Sequence, residues 1–279
     1  MLVAAGIFIP FVYQSRTTGD NVRCQDNFRR LWYATLHASL PGQAPPLHAA
    51  ESFPAGTIDN PNLAPEQRLS FHVLTLQALE LGSPAPEVPG KKKPAPRPTP
   101  LADLLRNVDI KERWDAPVNT PLAQARVRFL LCPALPASWP DESPALTQYV
   151  GLAGLGVDAA SLTPEEAAKR GGVFHDNRLT PFAAVTDGLG QTMAFGETNR
   201  DLGPWLRGGP ATVRGLDPEA LPYLGAGRPF AGMHLHGGYF GFADGAAHFI
   251  NEQVDPAVFR ALLTISGNEK FDLDPPGPP

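Results

Sequence analysis

Apolar positions along this chain follow two rhythms, a helical one in the first part and an alternating one in the second. Residues 2–13, LVAAGIFIPFVY, are apolar almost throughout. After them Cys24, Phe28, Leu31, Trp32, Thr35 and Leu36 return every three or four residues, with Arg23, Asp26, Arg29 and Arg30 on the other side. That spacing predicts an amphipathic helix, continuing the first segment with a weak point at Gly19. A second helix is expected over RLSFHVLTLQALE, residues 68–80, and a short one over 101–107. VDPAVFRALLTI carries the clearest helix signal, with Asp255 as N-cap, Pro256 at the first helical position and Val258, Phe259, Leu262 and Leu263 on one face.

From residue 126 the period shortens. VRFLLC, TQYVGLA and TMAFGET are β-prone runs bounded by Pro, Gly and Asp, so the second half is expected to be mostly sheet. The glycines of GLAGLG, 151–156, mark bends around a strand, and Asp187-Gly188 a tight turn before another. Asp244-Gly245 signals a two-residue hairpin of type I′, which needs positive φ at both central positions. That turn would pair Ala243 with Ala246, Phe242 with Ala247 and Phe240 with Phe249. Phe240, Phe242, Ala247 and Phe249 would then share one face, and Tyr239, Gly241, His248 and Ile250 the other. The proline-rich stretch 84–100 is expected to be an extended surface insertion, and the tail 266–279 to be disordered.

Composition narrows the function classes. With 279 residues and 43% hydrophobic content the chain is long enough and apolar enough for a sizeable core. Its net charge of -5 gives no electrostatic footprint for nucleic acid, and the one basic run, Lys91-Lys92-Lys93, lies among prolines. The 32 prolines and 27 glycines call for long irregular connections. The N-terminal apolar run would reach only about 20 Å as a helix against the ~30 Å hydrocarbon core, so it cannot span a membrane alone. It is either a buried helix or the end of a membrane helix that begins outside this chain.

Familiar catalytic signatures, such as a P-loop, His-Glu-x-x-His, Cys-x-x-Cys or Gly-x-Ser-x-Gly, do not occur. Three of the seven histidines fall in GMHLHGGYFGFADGAAHFI, 232–250. His234 and His236, two apart, would share a face as metal-binding histidines on a strand do. On a straight strand, however, His234 lies roughly 30 Å from Asp244, far beyond the reach of a common ion. The structural reading of these histidines is preferred, so no metal, cofactor or catalytic residue is assigned. A metal-dependent enzyme or Ca²⁺-stabilised ligand-binding module using His234, His236, His248 and the carboxylates Asp187, Glu197 and Asp244 is the alternative. The two cysteines, Cys24 and Cys132, fit a reduced pair or an exported disulfide equally.

The spacing of His234 and Asp244-Gly245 resembles the signature of the bacterial prepilin-type H-x9-DG proteins, domain-of-unknown-function family 1559. RCQDNFRRLWYATLHA, FPAG, RLSFHVLTLQALE, RWDAPVNT, FLLCP, YVGLAG, TDGLGQTMAFGE and ADGAAHFINEQVDPAVFRALLT are similar to that family's blocks, in its order, from about residue 3 to 265. The resemblance implies an α+β, pilin-like fold: a long N-terminal helix (1–40) packed on an antiparallel β-sheet within a globular region (41–265) rich in Pro/Gly loops. It implies a non-enzymatic pseudopilin-like protein of the cell envelope, linked to type II secretion or type IV pilus-like assembly. The globular part would be extracytoplasmic, with the inner membrane and other pilin-like subunits as partners. Leu2, Val3, Ile7, Phe8, Ile9, Phe11 and Val12 would form the membrane or assembly segment. His234, Asp244 and Gly245 would be structural, and an extracytoplasmic location would let Cys24 and Cys132 form a disulfide. The prepilin motif Gly-Phe-Thr-Leu-x-Glu is not found in this sequence, so the expectation is a truncated start or a lost processing site.

Overall fold

The computed structural model describes residues 2–37, 52–82, 99–136, 139 and 142–267, with side chains from Thr18 onward. The Pro-rich stretch 84–98 and residues 268–279 of the tail lie outside the described residues, as does His48. The helices are α1 (Leu2–Leu36), α2 (His72–Gln77), α3 (Pro100–Arg106), α4 (Thr120–Ala123), α5 (Pro164–Arg170) and α6 (Pro256–Ala261). The strands are β1 (Ser52–Phe53), β2 (Leu146–Thr147), β3 (Tyr149–Leu155), β4 (Thr180–Pro181), β5 (Met193–Glu197), β6 (Gly203–Pro204), β7 (Val213–Leu216), β8 (Gly237–Phe242) and β9 (Ala247–Asn251). The fold is α+β. Five strands form one sheet in the order β7-β3-β5-β8-β9, while β1-β4 and β2-β6 are small separate pairs. The main sheet is mixed rather than purely antiparallel, because β7 runs parallel to β3 after a long crossover.

Helix α1 passes through Gly19 without interruption. Its inner face is the expected one: Cys24, Phe28, Leu31 and Thr35 are buried, whereas Arg23, Asp26, Arg29 and Arg30 are exposed. That face lies on β8 and β9. Among the described residues no helix is long and apolar enough to cross a membrane.

Alternation along the strands separates two cores. On the α1 side, Phe28 and Leu31 join Tyr149, Phe195, Tyr239, Phe71 and Phe174. On the opposite side, Val150, Leu152, Met193, Phe240 and Phe242 pack with Phe230, Phe259, Leu262 and Leu263. The Asp255 side chain accepts a hydrogen bond from the Ala257 N–H and caps α6, whose Phe259 is buried, in agreement with the sequence pattern. The bends expected at GLAGLG are present, since Gly154 and Gly156 have φ of 104° and 106°.

Three local expectations need correction. The helix expected from residue 68 begins only at His72. Arg68, Leu69 and Ser70 are extended instead, because Ser70 N–H donates to the Leu206 carbonyl, its hydroxyl donates to the Trp205 carbonyl, and Leu69 bridges Arg207. VRFLLC is not a strand: Arg128–Leu130 make a 3₁₀ turn, and the Leu130 carbonyl accepts from Gln148 N–H.

The third concerns the hairpin. It forms, but with Tyr239 opposite Phe249, Phe240 opposite His248 and Gly241 opposite Ala247. Gly245 N–H donates to the Phe242 carbonyl, and only Gly245 in the turn has positive φ, 90°. This is a type I turn closed by a left-handed glycine rather than type I′, and it shifts the register by one residue. Phe249 consequently moves to the α1 side, where its ring lies 5.4 Å from that of Tyr239. His248 joins the Phe242 face, with ring centroids 4.9 Å apart.

Candidate functional site

Where the inner face of α1 meets the sheet, four side chains from distant parts of the chain converge. Cys24 comes from α1, Cys132 from the loop after the 3₁₀ turn, Glu197 from the end of β5 and His234 from the loop before β8. One ligand atom from each, either sulfur, carboxyl oxygen or imidazole nitrogen, lies within 4.8 Å of every other.

Each group has a local reason for its position. Register places Glu197 beside Tyr149 of β3, and its Oε2 accepts the Tyr239 backbone N–H of β8 at 2.8 Å. The other oxygen, Oε1, therefore faces α1, where Cys24 Sγ donates to it at 2.8 Å. His234 Nε2 stands 3.7 Å from the same Oε1 and 3.4 Å from Cys132 Sγ. Cys132 is fixed through its backbone, its N–H donating to Gln148 Oε1 at 2.8 Å. The His234 ring meets the edge of Tyr239, with centroids 5.0 Å apart. Gly232 completes the wall, because a Cβ there would stand 2.2 Å from Glu197 Oε2. Tyr149 Oη reaches Cys24 Sγ at 3.4 Å, and Asn27 Nδ2 donates to that hydroxyl at 3.4 Å.

The cluster is dry. The His234 and Glu197 side chains are 4% and 1% exposed, and both cysteines are buried. A carboxyl group so far from water is costly unless its oxygens are satisfied, and here both are occupied. Burial, the hydrogen bond with Cys132 and the Glu197 charge push the Cys24 thiol far above its usual range. The hydrogen bond from Cys24 and the neighbouring imidazole lower Cys132, against its burial. Burial alone would lower His234, but its contacts with Cys132 and Glu197 outweigh it and raise the ring to about 10. The arrangement thus holds a Cys132–His234 acid-base pair beside a Cys24–Glu197 hydrogen bond. Two sulfurs, one nitrogen and one oxygen are also the donor set of a transition-metal site.

Residues 22–215 match the family described as "Protein of unknown function (DUF1559)". The chain belongs to that family. No match was found among curated proteins or among solved structures. Within the DUF1559 match lie Cys24, Cys132 and Glu197, while His234 and the Asp244-Gly245 turn follow its end.

The sequence-derived candidates fare unevenly. The possible disulfide is not formed: Cys24 and Cys132 are both free thiols, Cys24 donating to Glu197 and Cys132 lying beside His234. His234 and His236 do not share a face, since the strand begins only at Gly237 and His236 takes φ 60°. His236 instead points to Glu252, at 3.1 Å, and is exposed. Asp244 stays in its turn, accepting from Ala246 N–H, and does not meet His234 around a common point. His248 is exposed beside Phe242, so the set His234, His236, His248 and Asp244 does not assemble. Asp187 accepts from Gly267 N–H, while Gly188, at φ 98°, closes a turn onto the Val185 carbonyl before β5. In sequence His234 and Glu197 lie far from both cysteines, in separate blocks. Periodicity gave no reason to join them, because their approach is purely tertiary.

Proposed function

We propose that this DUF1559 chain is a non-enzymatic, pseudopilin-like envelope protein, anchored or assembled through the apolar start of α1, with its α+β region outside the cytoplasm. One observation carries the reading. The apolar run that includes Leu2, Val3, Ile7, Phe8, Ile9, Phe11 and Val12 continues, in the same helix, into the segment that docks on β8 and β9. A rigid connection of this kind transmits the position of the apolar end to the folded part, as a subunit assembled through helix packing requires. An apolar run of that length in the sequence suits a lipid or protein partner. Pilin-like subunits at the inner membrane are the partners proposed, and no nucleic acid is involved.

Cell fractionation tests this directly. The full chain should sediment with inner membranes, resist extraction by high salt and dissolve in mild detergent. Removing residues 1–17 should release the folded remainder into the soluble fraction. Recovery of the full chain as a soluble monomer without detergent would sink the proposal.

A further inference from the structure

We infer that Cys24, Cys132, Glu197 and His234 form a structural Zn²⁺ site that fastens α1 to the sheet. The inference is independent of the envelope assignment, because it rests on four side chains and their mutual geometry.

Tetrahedral Zn²⁺, with bonds of about 2.3 Å to sulfur and 2.0–2.1 Å to nitrogen or oxygen, sets ligand-to-ligand separations of roughly 3.3–3.8 Å. The separations here are 2.8 Å for Cys24 Sγ–Glu197 Oε1, 3.4 Å for Cys132 Sγ–His234 Nε2 and 3.7 Å for His234 Nε2–Glu197 Oε1, with none beyond 4.8 Å. Side-chain movements of about 1 Å therefore suffice to close the four atoms around one ion.

The donor set selects the metal. Two thiolates are too soft for Ca²⁺ or Mg²⁺, which take oxygen ligands, and a mixed sulfur, nitrogen and oxygen tetrahedron suits Zn²⁺. The surroundings already orient the ligands as a metal requires. Tyr239 N–H holds Glu197 Oε2 and leaves Oε1 as a single donor, Gln148 fixes the Cys132 backbone, and Tyr149 Oη stands against Cys24 Sγ. All four positions are filled by buried protein groups, and none is left for water or substrate. Such closure marks a structural site rather than a catalytic one.

Each ligand belongs to a different segment, so the ion would join α1 to three separate pieces of the sheet region. Ligation needs both sulfurs as thiolates and the imidazole neutral, and so it releases protons. Binding should be thermodynamically linked to the docking of α1.

The test uses the full chain, purified in mild detergent with a thiol reductant and no added metal. Elemental analysis should find one Zn²⁺ per chain, and exchange for Co²⁺ should give tetrahedral d–d bands with thiolate-to-metal charge transfer. Cys24→Ser and Cys132→Ser should each abolish the charge-transfer signal of a two-thiolate site, whereas His248→Ala should leave metal content unchanged. Because the cysteine variants could misfold, the wild-type chain supplies a second measurement. Chelation followed by Zn²⁺ at about a hundredfold over its Kd should raise the Tm by roughly 5–10 °C relative to the stripped protein. A reduced wild-type chain that takes up no added Zn²⁺ overturns the inference. So does isolation, without reductant, of a metal-free chain carrying a Cys24–Cys132 disulfide, or Zn²⁺ retained in the double serine variant.

Discussion

His72 makes the stability of this fold acid-sensitive by an amount that can be worked out beforehand. The ring lies in α2, wholly buried, with Nε2 3.2 Å from the Tyr149 carbonyl and Nδ1 without a hydrogen-bond partner among the described residues. Burial lowers its pKa from 6.5 to about 3, only partly offset by the Tyr149 carbonyl. Between those values the unfolded chain binds a proton that the folded chain refuses. The contribution is therefore complete above pH 6.5 and is lost as pH falls towards 3. From pH 7.5 to 4.5 the loss from this one ring is about 3 kcal/mol, a large share of the 5–15 kcal/mol by which domains are usually stable. His175, lowered to about 4 by burial and the nearby Arg178, acts in the same direction. His234, raised to about 10, acts in the opposite sense: its contribution is complete below 6.5 and fades as pH rises from 6.5 to 10, and it cancels when wild type is compared with a His72 variant. Comparison with His72→Gln isolates the ring, because glutamine can donate to the Tyr149 carbonyl yet does not titrate. Urea unfolding followed by tryptophan fluorescence at steps from pH 7.5 to 4.5 should show the stability gap between wild type and variant shrinking by about 3 kcal/mol. A gap that stays constant over that range would refute the assignment of a neutral buried ring.

Two further substitutions probe the α1–sheet contact. Gly245→Val should destabilise the fold by roughly 1–3 kcal/mol, since φ is 90° and a Cβ would stand 2.9 Å from the Trp32 ring; chemical denaturation of the two proteins checks this. Phe28→Ala should cost about 3–5 kcal/mol, because the ring is fully buried against Tyr149, with centroids 4.7 Å apart, and lies directly over Gly241. Hydrogen exchange should then show amides of the docked part of α1 opening well before those of β3 and β5.

What could be read in the sequence was local and periodic. The buried face of α1, the capped start of α6 and the strands β3 and β5 follow from spacing within one element, where neighbouring residues decide the outcome. The place of the hairpin was legible too, but its register was not. Asp-Gly serves both a two-residue turn with positive φ at each position and a longer one with positive φ at glycine alone, and the Trp32 ring packed on Gly245 belongs to a distant segment. Arg68–Ser70 look helical by composition and are extended because residues 205–207 offer them partners. Helix α5 went unread although Thr163-x-x-Glu166 is a capping box in plain sequence. The site was legible only in fragments. Each of its four residues sits in a separate block, and no pattern within a block reports that Cys24 and His234 face one another.

The stretch from His234 to Asp244-Gly245 meets α1 at both of its ends. At one end of this stretch His234 meets the cluster that holds Cys24; at the other, Trp32 Nε1 donates to the Ala243 carbonyl at 2.8 Å and its ring covers Gly245. Cys24 and Trp32 are eight residues apart, about 12 Å along the helix, and β8 runs between the same two points. Apolar packing alone would tolerate a slide of α1 by one turn, about 5.4 Å, because Cys24, Phe28, Leu31 and Thr35 repeat at helical spacing. The polar contacts do not tolerate it. A slide would leave Glu197 Oε1 without the Cys24 donor, the Ala243 carbonyl without Trp32, and Thr35 Oγ1 away from Thr75 Oγ1, now 3.2 Å distant. Each buried group so stranded costs roughly 1–3 kcal/mol. Hydrophobic burial therefore holds α1 on the sheet, and the two ends of the His234–Gly245 stretch set where along the helix it is held.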